Sequence, residues 1–468
     1  MGTVNSALSL ITGALNADQA ALNVVANNVA NASSSSYTRQ VPNWAENQPV
    51  TINGVAYGSG VSVSGGISQR DRVLEQRLQQ QRQLGASSSA LLTALTTLQA
   101  SFGTASSNSS AGNVGSDITN FFNAYSQLEA SPVSNPLRQQ ILSTAQQLAG
   151  DISAIANSIN SQQGSIDQSV NTVVSQVNSI TQSLAQMNHQ IQSLSPNQDA
   201  GALEDQRQSD LAQLSQLIGF NQITTEQNGL SIATASGQLL VSDSASIPIT
   251  TGSVNGVTHL FLGSTDITSS LAGGGGQLGG LLTARDQALP STLSSLDQLA
   301  YAVSTQINAI NNAGTDLVGD NGNAGNVFNA PTQVAGSAQA MGVVMTDPSK
   351  IAAAALGQAT GDNANAVAAA GLANQAIIQG LTPSNFYANL LSTLGASVSE
   401  TTVQGTALTA SVTQLQTQRD ALSAVNLNEE ASALQEFQRS YQAASQVFTI
   451  LNSIMASAIN MGVQTAVS

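Results

Sequence analysis

The sequence predicts a mainly α protein: a long coiled-coil-like helical bundle built from both chain ends, with a small inserted antiparallel β module. Three patterns predict it. Ile152, Ile159, Ile166, Val173, Ile180, Met187 and Leu194 recur every seven residues without a break, the repeat of a helix with one apolar seam. Both ends of the chain carry similar seams with almost no charge. Between Gly219 and Leu271 the apolar period falls to two, as in strands with one buried face.

The first helix carries Val4, Leu8, Ile11, Leu15, Leu22, Val25 and Val29 on two seven-residue rows, broken once by Asp18, the only charged side chain before Arg39. Ser33 to Ser36 compete for backbone hydrogen bonds and end it. Pro42, Gly54, Gly58, Gly60 and the alternation through Val61-Ser62-Val63 read as an extended or hairpin segment up to Gly66. A helix from about Ser68 to Leu98 carries Arg70, Arg72, Arg77 and Arg82, read first as a solvated face and second as a contact for an acidic neighbouring subunit. Pro132 and Pro136 open the heptad helix, for which the seven-residue row alone requires about 65 Å. Pro196 ends it, and Leu203, Leu211, Leu214 and Ile218 start a returning helix.

In the β module the strands around Ile223, Leu230–Ile232, Leu239–Val241, Ile247–Ile249 and Leu260–Leu262 are separated by Asn228-Gly229 and Asn255-Gly256 turns. Gly273 to Gly276 reads as a linker. Leu281 to Ile310 is helical again, and Gly314 to Gly325 is a polar loop. Lys350 to Gln379 is Ala-rich and helix-prone. A long helix from Val403 to Ala424 then leads to the terminal one.

That terminal helix has Leu427, Leu434, Tyr441, Phe448 and Met455 on one seven-residue row, with Phe437 and Leu451 on the companion row and no charge after Arg439. Asn428, Glu429 and Glu430 read as a cap and first-turn carboxylates at a helix dipole. Burying the five row residues yields about 8–15 kcal/mol, whereas ordering some 30 residues costs on the order of 30–60 kcal/mol. The terminal helices are therefore expected to be disordered in a monomer and ordered by assembly. The expected division is 1–36 plus 425–468 as terminal helices, 37–218 plus 277–424 as the bundle, and 219–276 as the β module.

Composition narrows function. Of 468 residues 8% are charged, the net charge is −15, and Lys350 is the single lysine; this balance argues against nucleic acid or an anionic membrane as partner, since phosphate binding needs clustered Lys and Arg. There is no cysteine, which removes disulfides and thiol chemistry and suits a location outside the cell. The N-terminal stretch has neither a basic region nor a continuous apolar core, so export without a cleavable signal peptide is expected. His189 and His259 stand alone, HExxH, GxSxG and P-loop motifs do not occur, and Asp316, Asp320, Asn321 and Asn323 lack the closing glutamate of a calcium loop. The carboxylate pairs Glu204-Asp205 and Glu429-Glu430 both stand at helix starts. No catalytic, metal or cofactor-binding residue is assigned; no enzyme is expected.

Leu15 to Gln40, LNADQAALNVVANNVANASSSSYTRQ, resembles the N-terminal signature of the axial proteins of the bacterial flagellum. Its Tyr37-Thr38-Arg39-Gln40 ending resembles the version in the hook-associated proteins of the hook–filament junction. Ala202–Gly219, Gly276–Gly322 and Val425–Ala443 agree in the same order. Carried over, the signature residues are Asn27, Asn28, Asn31, Tyr37, Thr38, Arg39, Gln40, Glu429 and Glu430. Ser36 stands where the family usually has glycine, and the short run from Phe328 to Met341 implies a missing or vestigial outer β domain. The resemblance implies a structural subunit, secreted to the flagellum by its own export route, that polymerises as a ring on the distal hook and joins hook to filament. Its assembly interface would use Leu8, Ile11, Leu15, Leu22, Val25, Val29, Leu427, Leu434, Phe437, Tyr441, Phe448, Leu451 and Met455. Implied partners are the hook protein, the second junction protein, and an export chaperone on the C-terminal helix, with no nucleic acid or membrane. Rival readings are another hook or rod subunit, an extracellular coiled-coil adhesin and, third, a wall hydrolase.

Overall fold

The computed structural model describes residues 2–34, 37–52, 55–103, 114–194, 201–224, 229–254 and 256–464. Pro196, Ser36 and the turn residues Asn228 and Asn255 lie outside them. In order the elements are α1 (Gly2–Asn31), β1 (Gln40–Glu46), β2 (Val50–Ile52), β3 (Val55–Tyr57), β4 (Val61–Ser68), α2 (Arg72–Ser101), α3 (Val114–Ala130), α4 (Asn135–Leu194) and α5 (Gly201–Leu217). The β module follows: β5 (Phe220–Thr224), β6 (Leu230–Thr234), β7 (Leu239–Ser242), β8 (Ala245–Ser246), β9 (Ile249–Val254), β10 (Val257–Leu262) and β11 (Thr265–Asp266). After it come α6 (Thr268–Ala272), α7 (Gly276–Thr283), α8 (Leu289–Asn312), β12 (Gly314–Thr315), α9 (Ser337–Ala340), β13 (Ala354–Ala355), α10 (Ala364–Gly371), α11 (Pro383–Ser423) and α12 (Leu427–Gln464).

The protein is mainly α, 66% helical, and its spine is α4. This helix runs 60 residues, about 90 Å, longer than its seven-residue row required. Ile141, Leu148, Ile152, Ile159, Val170, Val177, Leu184 and Ile191 are fully buried along it. At one end Phe121, Phe122, Tyr125 and Phe328 form a ring cluster, with Phe121 to Tyr125 edge-on at 5.4 Å. The chain exposes 22901 Å², against about 16,000 Å² for a compact monomer of this mass. The shape is extended.

The β module rests on α4 and does not hang from a linker. It comprises two antiparallel sheets, β5-β6-β7-β8 and β11-β10-β9. Asn188 donates to the Leu230 and Asp243 carbonyls at 2.6 and 2.8 Å, and Asn178 exchanges two hydrogen bonds with Ile249. Ile232, Leu240, Val241 and Leu260 are fully buried and continue the core of the helices. The Gly273–Gly276 run is a backbone crossing: a Cβ on Gly219 would lie 1.2 Å from the Gly274 carbonyl oxygen, and one on Gly276 would lie 2.3 Å from the Ile218 nitrogen. The module's entry and exit touch, and only glycine fits there.

Four further expectations are corrected. α2 starts at Arg72, where the Asp71 carboxylate accepts the Val73 and Leu74 amides at 2.9 and 3.0 Å; β4 occupies Ser68. The Ala-rich segment is helical chiefly at α10, while Ile351 to Ala354 is buried and extended. Small side chains let this backbone sink between helices, and the Asn311 and Asn365 amides satisfy it. α11 is one helix from Pro383, with the Thr382 hydroxyl accepting the Asn385 amide at 3.3 Å. α12 is capped by Asn426, whose Oδ1 accepts the Asn428 amide at 3.0 Å, so Asn428 lies inside the first turn.

One buried acid sets a pH dependence. Asp117 of α3 is 8% exposed with Oδ2 unpartnered; burial, and then Asp151 of α4, push its carboxyl up to about 7. The same two aspartates, after burial, push the unpartnered Tyr387 hydroxyl of α11 up to about 12. A carboxyl that binds its proton more tightly when folded contributes most stability below its ordinary range, near pH 4, and loses it as pH rises to about 7. Asp117→Asn is therefore expected to be more stable than wild type above pH 7, by at most about 4 kcal/mol, with the gap closing near pH 4. Urea melts of both proteins across that range check it.

Candidate assembly interface

α1 and α12 form a unit of their own. They pack against each other, and neither contributes to the apolar core of the bundle. On α1, Ala17, Ala21, Val24 and Val25 are buried, and Leu8, Ile11, Leu15 and Leu22 are half-buried; on α12, Leu434, Phe437, Phe448, Leu451 and Met455 are half-buried. Leu427, Tyr441 and Val29 are exposed, the first and last at the ends of their helices. α12 also has a second apolar stripe beside its seven-residue rows: Val447, Ile450 and Ile454 are 44–57% exposed, on one face at 3,4 spacing. No charge interrupts it.

The unit joins the bundle through the signature residues. The Asn28 amide of α1, 1% exposed, donates to the Gln40 carbonyl at 2.7 Å and to the Glu430 carboxylate at 2.9 Å. Its Oδ1 accepts the Tyr37 hydroxyl at 2.8 Å and the Gln40 amide at 3.0 Å. Both ends of one amide thus tie α1 to two other chain segments, residues 37–40 and α12. Glu430 also accepts Arg39 Nε at 2.7 Å, while Glu429 takes the other arm of that guanidinium at 3.0 Å. Burial, then the Asp205 and Glu430 charges, push the Tyr37 phenol up to about 12, so it stays a hydrogen-bond donor.

The bundle side continues the chain of contacts. Arg39 N donates to the Ser423 carbonyl at the end of α11 (2.9 Å), Gln69 N to the Arg39 carbonyl (2.9 Å), and the Ser423 hydroxyl to the Gln69 carbonyl (2.8 Å). Arg70 bonds the Thr38 hydroxyl at 2.9 Å and the Asp205 carboxylate. Burial pushes the Asp205 carboxyl up, and Arg70 opposes it. Arg70 is therefore no part of a solvated helical face, and the helix dipole is the lesser reason for Glu204-Asp205 and Glu429-Glu430. Each pair holds an arginine. Asn27 and Asn31 stand outside the joint: the Asn31 amide donates to the Asn27 carbonyl and side chain at 2.9 and 2.8 Å on the exposed flank of α1.

A third arginine does the same inside the bundle. Arg285 lies in a π-helical turn, Ala284–Ala288, between α7 and α8. It is 2% exposed and bonds Asp167 of α4 at 2.8 Å and the Thr258 carbonyl of β10 at 2.6 Å. The polar loop at Asp316 is turn chemistry: its Oδ1 accepts the Val318 and Asp320 amides at 3.0 and 2.8 Å, and Lys350 lies 3.3 Å from its Oδ2. Among the described residues no three His, Asp or Glu side chains are grouped as a metal site.

Comparison with known proteins follows the same blocks. Residues 103–328 match the family described as "Flagellar hook-associated protein FlgK helical domain", and residues 11–38 match "Flagella basal body rod protein". Flagellar hook-associated protein 1 of Escherichia coli (strain K12) is 26% identical over 98% of this chain and 99% of that protein. The protein of that name from Bacillus subtilis (strain 168) is 25% identical over 96% and 97%. The chain is similar to flagellar hook-associated protein 1 over nearly its whole length. The fold agrees: the flagellar hook junction protein FlgK from Burkholderia pseudomallei superposes with a TM-score of 0.65 at 18% identity, over 74% of this chain and all of that one. Hook-associated protein 1 relatives are structural proteins of the flagellum, and the rod-protein match coincides with the α1 side of the joint.

The joint makes a prediction. Glu430→Ala leaves the Arg39 guanidinium and the Asn28 amide without their buried acceptor, at a cost of about 1–3 kcal/mol, discounted because Arg39 keeps part of its surface in water. The loss falls on docking of α1 and α12. Limited proteolysis is expected to release both termini faster than in wild type, while the melting temperature of the bundle stays unchanged.

Proposed function

We propose that this chain polymerises as a ring at the distal end of the hook, with the α1–α12 unit forming the inner tube and joining hook to filament. The observation that carries this is the second apolar stripe of α12, exposed in the single chain beside a half-buried first stripe. An exposed apolar face of this length marks an interaction surface, and the chain's excess accessible area agrees. The half-buried residues Leu8, Ile11, Leu15, Leu22, Leu434, Phe437, Phe448, Leu451 and Met455 shape the unit, and Val29, Leu427 and Tyr441 face outward to neighbours. The partners are the hook protein below, the second junction protein above, and before export a chaperone that covers α12. Secretion proceeds through the flagellar export channel. The terminal unit is only marginally held before assembly, because one joint and one helix pair offset little of its conformational entropy; neighbouring copies fix it. No catalytic step is proposed.

A deletion strain is expected to show bare hooks and filament subunits lost to the medium; normal filaments would refute the reading. Phe448→Asp places a carboxylate at a half-buried position of α12, where a partly desolvated, unpaired charge is costly. Because both helices lie outside the bundle core, the isolated protein is expected to melt normally yet fail to join hook to filament. Gln446→Asp, at an exposed position, is expected to be mild. Motility assays and electron microscopy of hooks read both.

A further inference from the structure

The hairpin between α1 and α2 exposes Trp44, Val50, Val55, Tyr57 and Ile67. From Gln40 to Gln69 it has one charged residue, Glu46. β1 pairs with β4, and beyond them β2 pairs with β3 with Val50 opposite Tyr57 and Ile52 opposite Val55. Directly opposed residues and those two apart share a face, so Val50, Val55 and Tyr57 stand together on one side. Each is 53% exposed. Trp44, the only tryptophan of the chain, is 43% exposed and leans on Phe437 of α12 at 6.0 Å between ring centroids. The hairpin already touches the terminal helix of its own chain through Trp44; Val50, Val55 and Tyr57 in its far half are exposed.

The level of that far half can be read from α1. A Cβ on Gly60 would lie 3.4 Å from Leu10 Cγ, and one on Gly13 would lie 3.8 Å from the Val61 carbonyl oxygen. Tyr57 lies three residues before Gly60, within about 10 Å of that level. Leu10 lies 18 residues from Asn28, and Phe448 lies 18 residues from Glu430; Asn28 and Glu430 meet at the joint, so both lie about 27 Å from it along their helices. The apolar end of the hairpin is therefore level with the exposed stripe of Val447, Ile450 and Ile454. Copies related by rotation about a common axis keep each group at its own height.

We propose that the β2–β3 face of one copy, through Val50, Val55 and Tyr57, covers the Val447-Ile450-Ile454 stripe of the next copy in the ring. The contact is heterologous: two different patches of one chain satisfy each other around the ring, as closed cyclic assemblies require. It continues in trans the hairpin-to-α12 contact that Trp44 and Phe437 make within one chain, and neither patch carries a charge that would need a counterpart. This rests on the ring assembly proposed above.

The absence of cysteine allows a direct test. Tyr57→Cys, Ile450→Cys and the double variant are expressed in place of the wild-type chain, and flagella are isolated and treated with a short bis-maleimide. The double variant is expected to give a ladder of covalent multimers, and each single variant to stay monomeric. A double variant incorporated into hooks without a ladder overturns the proposal while leaving ring assembly standing. Dimers from Ile450→Cys alone overturn it too, since the stripe would then face its own copy. A double variant that melts like the wild-type monomer yet is missing from hooks supports it, because both positions are surface in the single chain. A wild-type chain missing from hooks overturns the assembly reading itself.

Discussion

The geometry of this protein depends on one buried ionic joint. Glu430, at the first turn of α12, is 1% exposed and receives Arg39 and Asn28 from segments some 400 residues earlier in sequence. A carboxylate this deep is costly unless every lone pair has a donor. Here the guanidinium supplies charge and the amide supplies the remaining hydrogen bond. Because Asn28 also fixes Gln40 and Tyr37, and Arg39 fixes Ser423, the joint sets where the terminal helices leave the bundle. An interaction of this kind specifies direction more than it adds stability.

The same device recurs where other segments meet. Arg70 with Glu204 and Asp205 ties the hairpin exit to α5, and Arg285 with Asp167 ties the α7–α8 helix to the spine and the β module. In a chain with so few charges, long surfaces pack through aliphatic seams and amide contacts that do not distinguish one register from the next. Charged pairs at the crossings supply that distinction, since a slipped register would bury an unpaired ion. Glycine does comparable work at Gly219 and Gly276, where two backbones cross at a distance no side chain permits.

Charge is also withheld with purpose. α12 has none beyond Arg439 and the hairpin has one, and these are the parts left with exposed apolar faces. The bundle and β module, which hold most acidic residues, keep the net charge of the molecule away from those faces. In the proposed ring, neighbouring copies would therefore approach through the terminal unit without like-charge repulsion.

The sequence by itself determined the helical class, the spine, the β module and the two terminal seams, because period seven, period two and glycine punctuation are local signals. It also pointed to the joint: Tyr37, Thr38, Arg39, Gln40 and Glu430 stood out as a signature, although nothing local tells that Arg39 seeks a carboxylate beyond the whole bundle. Only the tertiary structure decided the partners. Glu204-Asp205 and Glu429-Glu430 look like helix-dipole carboxylates until their arginines are seen. Ile351 to Ala354 looks like a helix until Asn311 and Asn365 take its backbone bonds, and Gly273 to Gly276 looks like a linker until it crosses Gly219. Seven-residue rows identify an apolar helix but leave open which of two neighbouring stripes faces its own chain. That choice is made by packing between residues far apart in sequence: Phe448 lies on the half-buried side of α12, while Ile450 stays exposed.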